Sequence, residues 1–283
     1  MEAATYNFNI QKIHDTVWVF KNAIENPQDF VDYFESQEEW KDWYTFGKHL
    51  EGPNFTLDFD EFPDFEQWEA KKDVNSDGFS RSLKFENQIN DLFLHATKAY
   101  VEENSINIDN WRYRGWNIAK YRPNDENEFV MVHHTDYQRE YTHNPGTKFA
   151  VTAVFYLNDN YTGGEVAFRF LDDDDVSIIK EDYEYKPSAG DIVVFLSNHP
   201  HYHGVRAVTE GEKYIIRTYW TYEYPGHPLW LRLQEKYGTD IWEQMESERL
   251  KFNRDSANIK MINNIPFWMS FEEYYKKEIE ALD

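Results

Sequence analysis

The stretch KFAVTAVFYL at residues 148–157 consists mostly of β-branched, aromatic and other apolar residues. A short apolar run of this composition is typical of a buried β-strand. Turn signals bound it, Asn144-Pro145-Gly146 before and Gly163-Gly164 after. Similar runs, each bounded by turn residues, lie at Trp111–Tyr121, 165–170, 191–196 and 213–222. Short strands punctuated in this way indicate a β-sandwich or barrel.

Helical patterns flank the strands on both sides. Asn26-Pro27 predicts the start of a helix over residues 28–40, since proline is favourable in the first helical turn. The apolar spacing over Arg81–Glu103 predicts an amphipathic helix. After Pro225 the helical segments expected are 229–245 and 271–282.

The remaining N-terminal pattern is a short apolar strand, Val17-Trp18-Val19-Phe20, and a turn-rich segment at 47–78 that we expect to be irregular. The sequence therefore predicts one catalytic domain over residues 1–283. It divides into N-terminal strand and helical support (1–109), a β core (110–224) and a C-terminal helical extension (225–283).

Composition narrows the classes of function. The chain has 52 acidic and 29 basic residues, a net charge of −23, which repels phosphate backbones and argues against a nucleic-acid partner. Without cysteine, disulfides and thiolate metal sites are excluded, so a metal site must use His, Asp or Glu. No membrane span and no signal peptide are recognisable, and we expect a cytoplasmic protein.

The candidate metal ligands start with Val132-His133-His134-Thr135-Asp136. Residues i and i+2 of a strand point to the same face, so His134 and Asp136 can reach one ion. A third ligand is available in His199-Pro200-His201-Tyr202-His203. Two imidazoles and one carboxylate on one face of a metal leave the other face open, which suits iron(II) in oxygenases.

The segment after His203 carries a resemblance to a known family. His203 is followed by a turn at Glu210-Gly211 and a strand that begins with Lys213, ten residues after His203. With Tyr121, Gly163-Gly164-Glu165 and residues 186–195, this order resembles the iron(II)/2-oxoglutarate-dependent dioxygenases, in particular the prolyl 4-hydroxylase-like branch. In that family a basic residue lies ten positions after the distal histidine ligand, so the resemblance selects His203 over His199 and His201.

The resemblance implies a fold and a chemistry. The fold is mainly β with flanking helices around a double-stranded β-helix, or jelly-roll, core. His134, Asp136 and His203 would bind Fe(2+), with Lys213 on the far carboxylate of 2-oxoglutarate, helped by Tyr121. With O2 the enzyme would hydroxylate a substrate, which is a prolyl residue in a peptide, another peptide or protein group, or a small molecule, and release succinate and CO2.

Several alternatives stay open. Tyr121 lies 13 residues before His134, which suggests an insertion over residues 124–128, and Arg217 shares the strand parity of Lys213 and could bind the carboxylate instead. His199, His201 and His203 alternate and could form a cupin-type metal site without 2-oxoglutarate, although Pro200 disfavours a central strand. A non-catalytic barrel that binds a protein or glycan is a further reading.

Residues at the mouth of such a site can also be suggested from the sequence. The candidates for substrate contact are Tyr137, Arg139, Arg206 and Trp220. Each of them can equally be an ordinary packing residue. Substrate identity and oligomeric state are not encoded in any pattern recognised here.

Overall fold

The computed structural model describes residues 6–36, 44–46, 49–55, 81–107, 111–123, 127–136, 145–196 and 198–282. Its centre is two facing antiparallel sheets. The larger has eight strands in the order β1-β2-β11-β7-β14-β5-β4-β3, and the smaller has four in the order β10-β9-β12-β6. Several neighbouring strands, such as β2 and β11 or β6 and β12, are distant in sequence, which is the crossover pattern of a jelly roll.

The strands of the larger sheet have the following bounds: β1 Asn9–His14, β2 Val17–Lys21, β3 Tyr44–Phe46, β4 His49–Phe55, β5 Trp111–Tyr121, β7 Gly146–Tyr156, β11 Ile192–Leu196 and β14 Lys213–Tyr224. The smaller sheet comprises β6 Phe129–His134, β9 Val166–Leu171, β10 Ile179–Tyr185 and β12 His201–Arg206. There are also two small two-stranded antiparallel sheets. One pairs β8 Thr162–Gly163 with β13 Val208–Glu210, and the other pairs β15 Lys260–Ile262 with β16 Ile265–Phe267. The predicted jelly-roll fold class is confirmed.

The helices are α1 Pro27–Glu35, α2 Arg81–Glu103, α3 Pro228–Tyr237, α4 Thr239–Arg254, α5 Phe271–Tyr274 and α6 Lys276–Glu280, with a 3-10 turn at Ser256–Asn258. Helix α2 has the predicted bounds. Helix α1 starts with Pro27 as expected but ends at Glu35, and Trp40, the predicted end, lies outside the described residues. Of the described helices, none is long and apolar enough to cross a membrane.

Two cores hold the sheets in place. The apolar side chains of β9, β11 and β14, such as Phe168, Phe195 and Ile215, fill the space between the two sheets. The outer face of the larger sheet packs against α1 and α2 through Phe34, Phe93 and neighbouring residues. Because adjacent side chains of a strand point to opposite faces, the strands buried on both faces read as near-continuous apolar runs.

Two predictions about segments were wrong. Residues 49–55, expected to be irregular, form β4 and pair with β5, and the register breaks between Glu51 and Asn54, where Gly52-Pro53 lies. A bulge tolerates proline because its missing N–H interrupts no ladder bond. The predicted helix 229–245 is two helices separated at Gly238, whose φ of +80° terminates the first.

The other predicted elements deviate only at their ends. The segment 271–282 forms two short helices that meet at Tyr275. The rest of the segment 56–78 lies outside the described residues, as does most of the insertion expected at 124–128. The division into 1–109, 110–224 and 225–283 stays a prediction.

Candidate metal centre

Two histidines face each other inside the smaller sheet. His134 ends β6 and His203 lies within β12, and the two residues are directly paired across the antiparallel ladder. Their ring centroids are 4.4 Å apart. Phe195 of the opposite sheet packs against the His203 ring at 4.6 Å. Cross-strand pairing therefore places both imidazoles on the inner face of the jelly roll.

Asp136 completes the group from just beyond β6. The sequence argument placed it on the strand, but the strand ends at His134 and Asp136 lies in the bend that follows. Its Oδ1 lies 3.8 Å from Nε2 of His134, and its Oδ2 lies 3.8 Å from Nε2 of His203. One donor atom from each of the three side chains lies within 4.8 Å of the other two. No second group of this kind occurs in the part of the chain that the structure describes.

Hydrogen bonds orient two of these side chains. Nδ1 of His134 lies 2.8 Å from the carbonyl oxygen of Val132. A carbonyl only accepts, so Nδ1 donates this hydrogen bond, and Nε2 is the ring nitrogen that lies near Asp136. The hydroxyl of Thr152 on β7 donates to Oδ2 of Asp136 at 2.6 Å.

The protonation state of His203 also suits a ligand. Burial lowers the pKa of His203 to about 3, against the opposing effect of the Asp136 carboxylate. The imidazole is therefore neutral at physiological pH, which is the form that binds a metal. Its Nδ1 is buried and has no hydrogen-bond partner among the described residues.

A buried lysine closes the deep end of the same cavity. Lys213, the first residue of β14, is directly paired with Tyr121 of β5 and has only 1% of its surface exposed. Its Nζ donates to the carbonyl of Gly164 at 2.6 Å and lies 5.3 Å from the ring centroid of Tyr121. The structure thus places Lys213 beside Tyr121, and their role in binding 2-oxoglutarate stays a prediction.

Arg217 lines the cavity too, closer to the histidines. It shares the inward parity of Lys213 on β14, and its charge lowers the pKa of His203. The cavity as a whole has a mixed lining of ligand candidates, cations and apolar side chains: Tyr121, Met131, His134, Asp136, Thr152, Val154, Tyr156, Val166, Phe195, His203, Val205, Lys213, Ile215, Arg217 and Tyr219. Both candidates for carboxylate binding therefore line one cavity.

The other histidines of the two motifs lie elsewhere. His199 precedes β12 and its Nδ1 lies 3.3 Å from the hydroxyl of Tyr202, whereas Nδ1 of His201 lies 3.1 Å from the carbonyl of Asn198. Neither belongs to the three-residue group, so the arrangement needed for a cupin-type site of His199, His201 and His203 is absent from the described residues. His133 has the opposite strand parity to His134 and packs its ring against Phe129.

Residues 116–222 match the model of the 2OG-Fe(II) oxygenase superfamily. The matched segment contains all three members of the His134, Asp136 and His203 group as well as Lys213 and Arg217. The match covers residues 116–222, and we call them the matched segment.

Two curated proteins are similar to this chain over part of their length. Prolyl 3-hydroxylase 2 of Homo sapiens is 28% identical over 98 residues, which are 35% of this chain and 13% of that protein. The protein of the same name from Gallus gallus is 28% identical over 108 residues, 38% of this chain and 14% of that protein. This chain therefore matches only a small part of those relatives.

Among solved structures, a prolyl-4-hydroxylase from Pseudomonas putida has a TM-score of 0.45 and 14% identity, and covers 73% of this chain and 92% of its own. The viral collagen prolyl hydroxylase of Paramecium Bursaria Chlorella virus-1 has the same TM-score and identity, and covers 73% of this chain and 96% of its own.

The four residues suggested for the mouth of the site do not share one environment. Trp220 is buried in the core under α2, and its Nε1 donates to the hydroxyl of Thr97 at 2.8 Å, so it is a packing residue. Arg206 is bound by Glu128 and Glu184 on the outside of the smaller sheet. Tyr137 and Arg139 lie outside the described residues.

Two residues near the candidate metal centre were not recognised as site residues from the sequence. Thr152 holds Asp136, and the only signal was a polar residue within the apolar run KFAVTAVFYL. Gly164 supplies the carbonyl that binds Lys213, and it was recognised only as a turn residue of positive φ, which its φ of +69° confirms.

Proposed function

We propose that this chain is an iron(II)- and 2-oxoglutarate-dependent dioxygenase that hydroxylates its substrate and releases succinate and CO2. The observation that carries the proposal is the convergence of His134, Asp136 and His203 in one cavity with the buried basic residue Lys213. Two imidazoles and one carboxylate form the donor set that suits iron(II) with open positions. The residues present therefore fit the metal that the family implies.

Each residue has a distinct role in this proposal. His134, Asp136 and His203 hold Fe(2+), and Thr152 fixes the carboxylate of Asp136. Lys213 binds the far carboxylate of 2-oxoglutarate, next to Tyr121, while Arg217 stays the alternative partner. When bound, iron(II) with 2-oxoglutarate and O2 supplies the oxidising chemistry that places one oxygen atom in a C–H bond of the substrate.

The cavity walls favour a water-poor site. Phe195, Val154 and Ile215 surround the ligand group with apolar side chains, and all three are buried. Such walls keep water from the reacting atoms. They also strengthen the interaction between a bound carboxylate and the basic side chains Lys213 and Arg217 of β14.

The substrate is proposed to be a prolyl residue in a peptide or protein. The support is the sequence similarity to proteins named prolyl 3-hydroxylase 2. A free amino acid or another small molecule is the alternative that a substrate screen distinguishes. The net charge of −23 supports a partner other than nucleic acid. A cytoplasmic location, expected from the sequence, stays a prediction.

The test has two stages. Without oxygen, Fe(2+) and then 2-oxoglutarate should each raise the melting temperature, because a ligand of the folded state stabilises it. With oxygen, peptides and amino acids are then screened for succinate formation. His134→Ala should abolish both responses, and His199→Ala, which lies outside the ligand group, should keep them. A metal response without a 2-oxoglutarate response would favour a different metal enzyme, and binding without succinate a non-catalytic barrel.

A further inference from the structure

The side chain of Lys213 is buried without a carboxylate partner among the residues that the structure describes. No carboxylate oxygen lies within 4 Å of its Nζ in the described part of the chain, and its one hydrogen bond goes to the Gly164 carbonyl. With 1% of its surface exposed, Lys213 is also cut off from water. An unpaired buried charge is costly, so this environment favours the neutral amine, which can make the same hydrogen bond.

Three tyrosine rings surround Lys213 without supplying a negative charge. Its Nζ lies 5.3, 5.1 and 5.8 Å from the ring centroids of Tyr121, Tyr156 and Tyr161, on β5, on β7 and in the segment after β7. Burial raises the pKa values of Tyr156 and Tyr161, so these two phenols stay neutral and supply no negative charge.

Two charged side chains act on Lys213 from a greater distance and in opposite directions. Lys186, between β10 and β11, binds the backbone carbonyls of Tyr161 and Gly163 and repels a charge on Lys213. Glu165, beside the glycine turn, attracts it. Burial is the largest effect, and together they lower the pKa of Lys213 to about 7.

We propose that Lys213 is mostly uncharged in the ligand-free protein above neutral pH and takes up one proton from solvent when the far carboxylate of 2-oxoglutarate binds beside it. The proposal rests on the proposed function, since it concerns the same co-substrate. The carboxylate supplies the counter-charge that the pocket lacks, so the complex contains an ammonium–carboxylate pair. The proton balance is one proton gained by the amine and one lost by the buffer.

This coupling gives co-substrate binding a defined pH dependence. Below the pKa of free Lys213 the amine is already charged, and the Kd for 2-oxoglutarate is constant. Above it, each molecule that binds must bring a proton, and the Kd rises up to tenfold per pH unit. Between pH 6.5 and pH 8.5 the expected weakening is roughly 25-fold for a free pKa of about 7. An arginine partner, charged throughout this range, gives no such dependence.

Calorimetry counts the proton directly. The protein is loaded with Fe(2+) without oxygen, so that His134 and His203 are already coordinated, and is titrated with 2-oxoglutarate at pH 8.0 in phosphate and in Tris. The two buffers differ in ionisation enthalpy, so the difference between the two heats gives the number of protons taken up. We expect about 0.9 proton per molecule, from a free pKa of about 7.

Two controls isolate Lys213. 2-Oxobutyrate keeps the keto acid but lacks the far carboxylate, and it should bind without proton uptake. Lys213→Arg is charged before binding and should also give none. Tight 2-oxoglutarate binding by the native protein with no proton uptake would overturn the inference. Absence of 2-oxoglutarate binding would instead contradict the proposed function.

Discussion

Thr152 and Asp136 lie 16 residues apart in sequence and are joined by a hydrogen bond of 2.6 Å from the threonine hydroxyl to Oδ2 of the carboxylate. Asp136 lies beyond the end of β6, where the strand no longer fixes its direction. The hydroxyl of Thr152 on β7 therefore links the carboxylate of Asp136 to the larger sheet. Partners of this kind set the orientation of a metal ligand and the affinity of its site.

Thr152→Val should weaken metal binding by about 10–100-fold while the protein stays folded. The substitution removes the hydrogen bond and keeps the shape of the side chain. Thr218→Val is the matched control, because Thr218 is also buried in the larger sheet and its hydroxyl has no hydrogen-bond partner among the described residues. Fe(2+) affinity measured under anaerobic titration checks both variants, and equal affinities would remove Thr152 from the metal centre.

Gly164→Ala should weaken 2-oxoglutarate binding and leave metal affinity unchanged. A methyl group at Gly164 would lie 2.9 Å from Cε2 of Tyr161 and 3.2 Å from Cδ of Lys213, so the lysine would have to move. The residue also has a φ of +69°, which strains any side chain.

Gly238→Ala separates the two effects of that substitution. Gly238 has a similar φ of +80°, but a methyl group there would have nothing within 4 Å. It should cost stability without any change in 2-oxoglutarate affinity. Equal affinities in the two variants would show that the packing of Gly164 does not position Lys213.

Lys148→Met should stabilise the protein at pH 7 by about 2–3 kcal/mol. Lys148 is buried on β7, and burial lowers its pKa to about 8. Between this value and the unfolded pKa of 10.5, the unfolded chain binds more protons than the folded one, so stability rises with pH. Below pH 8 the full cost of the buried charge remains.

Urea denaturation at pH 7 and at pH 10 measures this effect. The native protein should gain stability between the two, relative to the variant, whose own profile lacks the contribution of Lys148. A variant less stable than the native protein at pH 7 would show that the Lys148 ammonium has a stabilising partner.

The sequence patterns predicted the strands of the core well, because burial on two faces leaves continuous apolar runs such as residues 148–157. They failed where one residue changes a local outcome. Gly52-Pro53 looked like a turn but is accommodated in a bulge of β4, and Gly238 divides a helical pattern that is otherwise continuous. The bulge at Gly52-Pro53 and the helix end at Gly238 both depend on the contacts of the folded chain and not on local composition.

The same limit applies to the candidate site. Strand parity placed Lys213 and Arg217 on one face, and both indeed line the cavity, but parity carries no information about depth or neighbours. Trp220 was a candidate for substrate contact, yet its side chain packs in the core under α2. The hydrogen bond from Thr152 to Asp136 joins β7 to the bend after β6, and this contact exists only after folding.

The central claim is that His134, Asp136 and His203 bind one metal ion and leave open positions for 2-oxoglutarate. A crystal structure of the protein grown without oxygen in the presence of Fe(2+) and 2-oxoglutarate tests it most directly. We expect a single ion about 2 Å from Nε2 of His134, Nε2 of His203 and a carboxylate oxygen of Asp136, with 2-oxoglutarate on the open side. An ion bound instead by His199 or His201, or none within bonding distance of the three side chains, would contradict it.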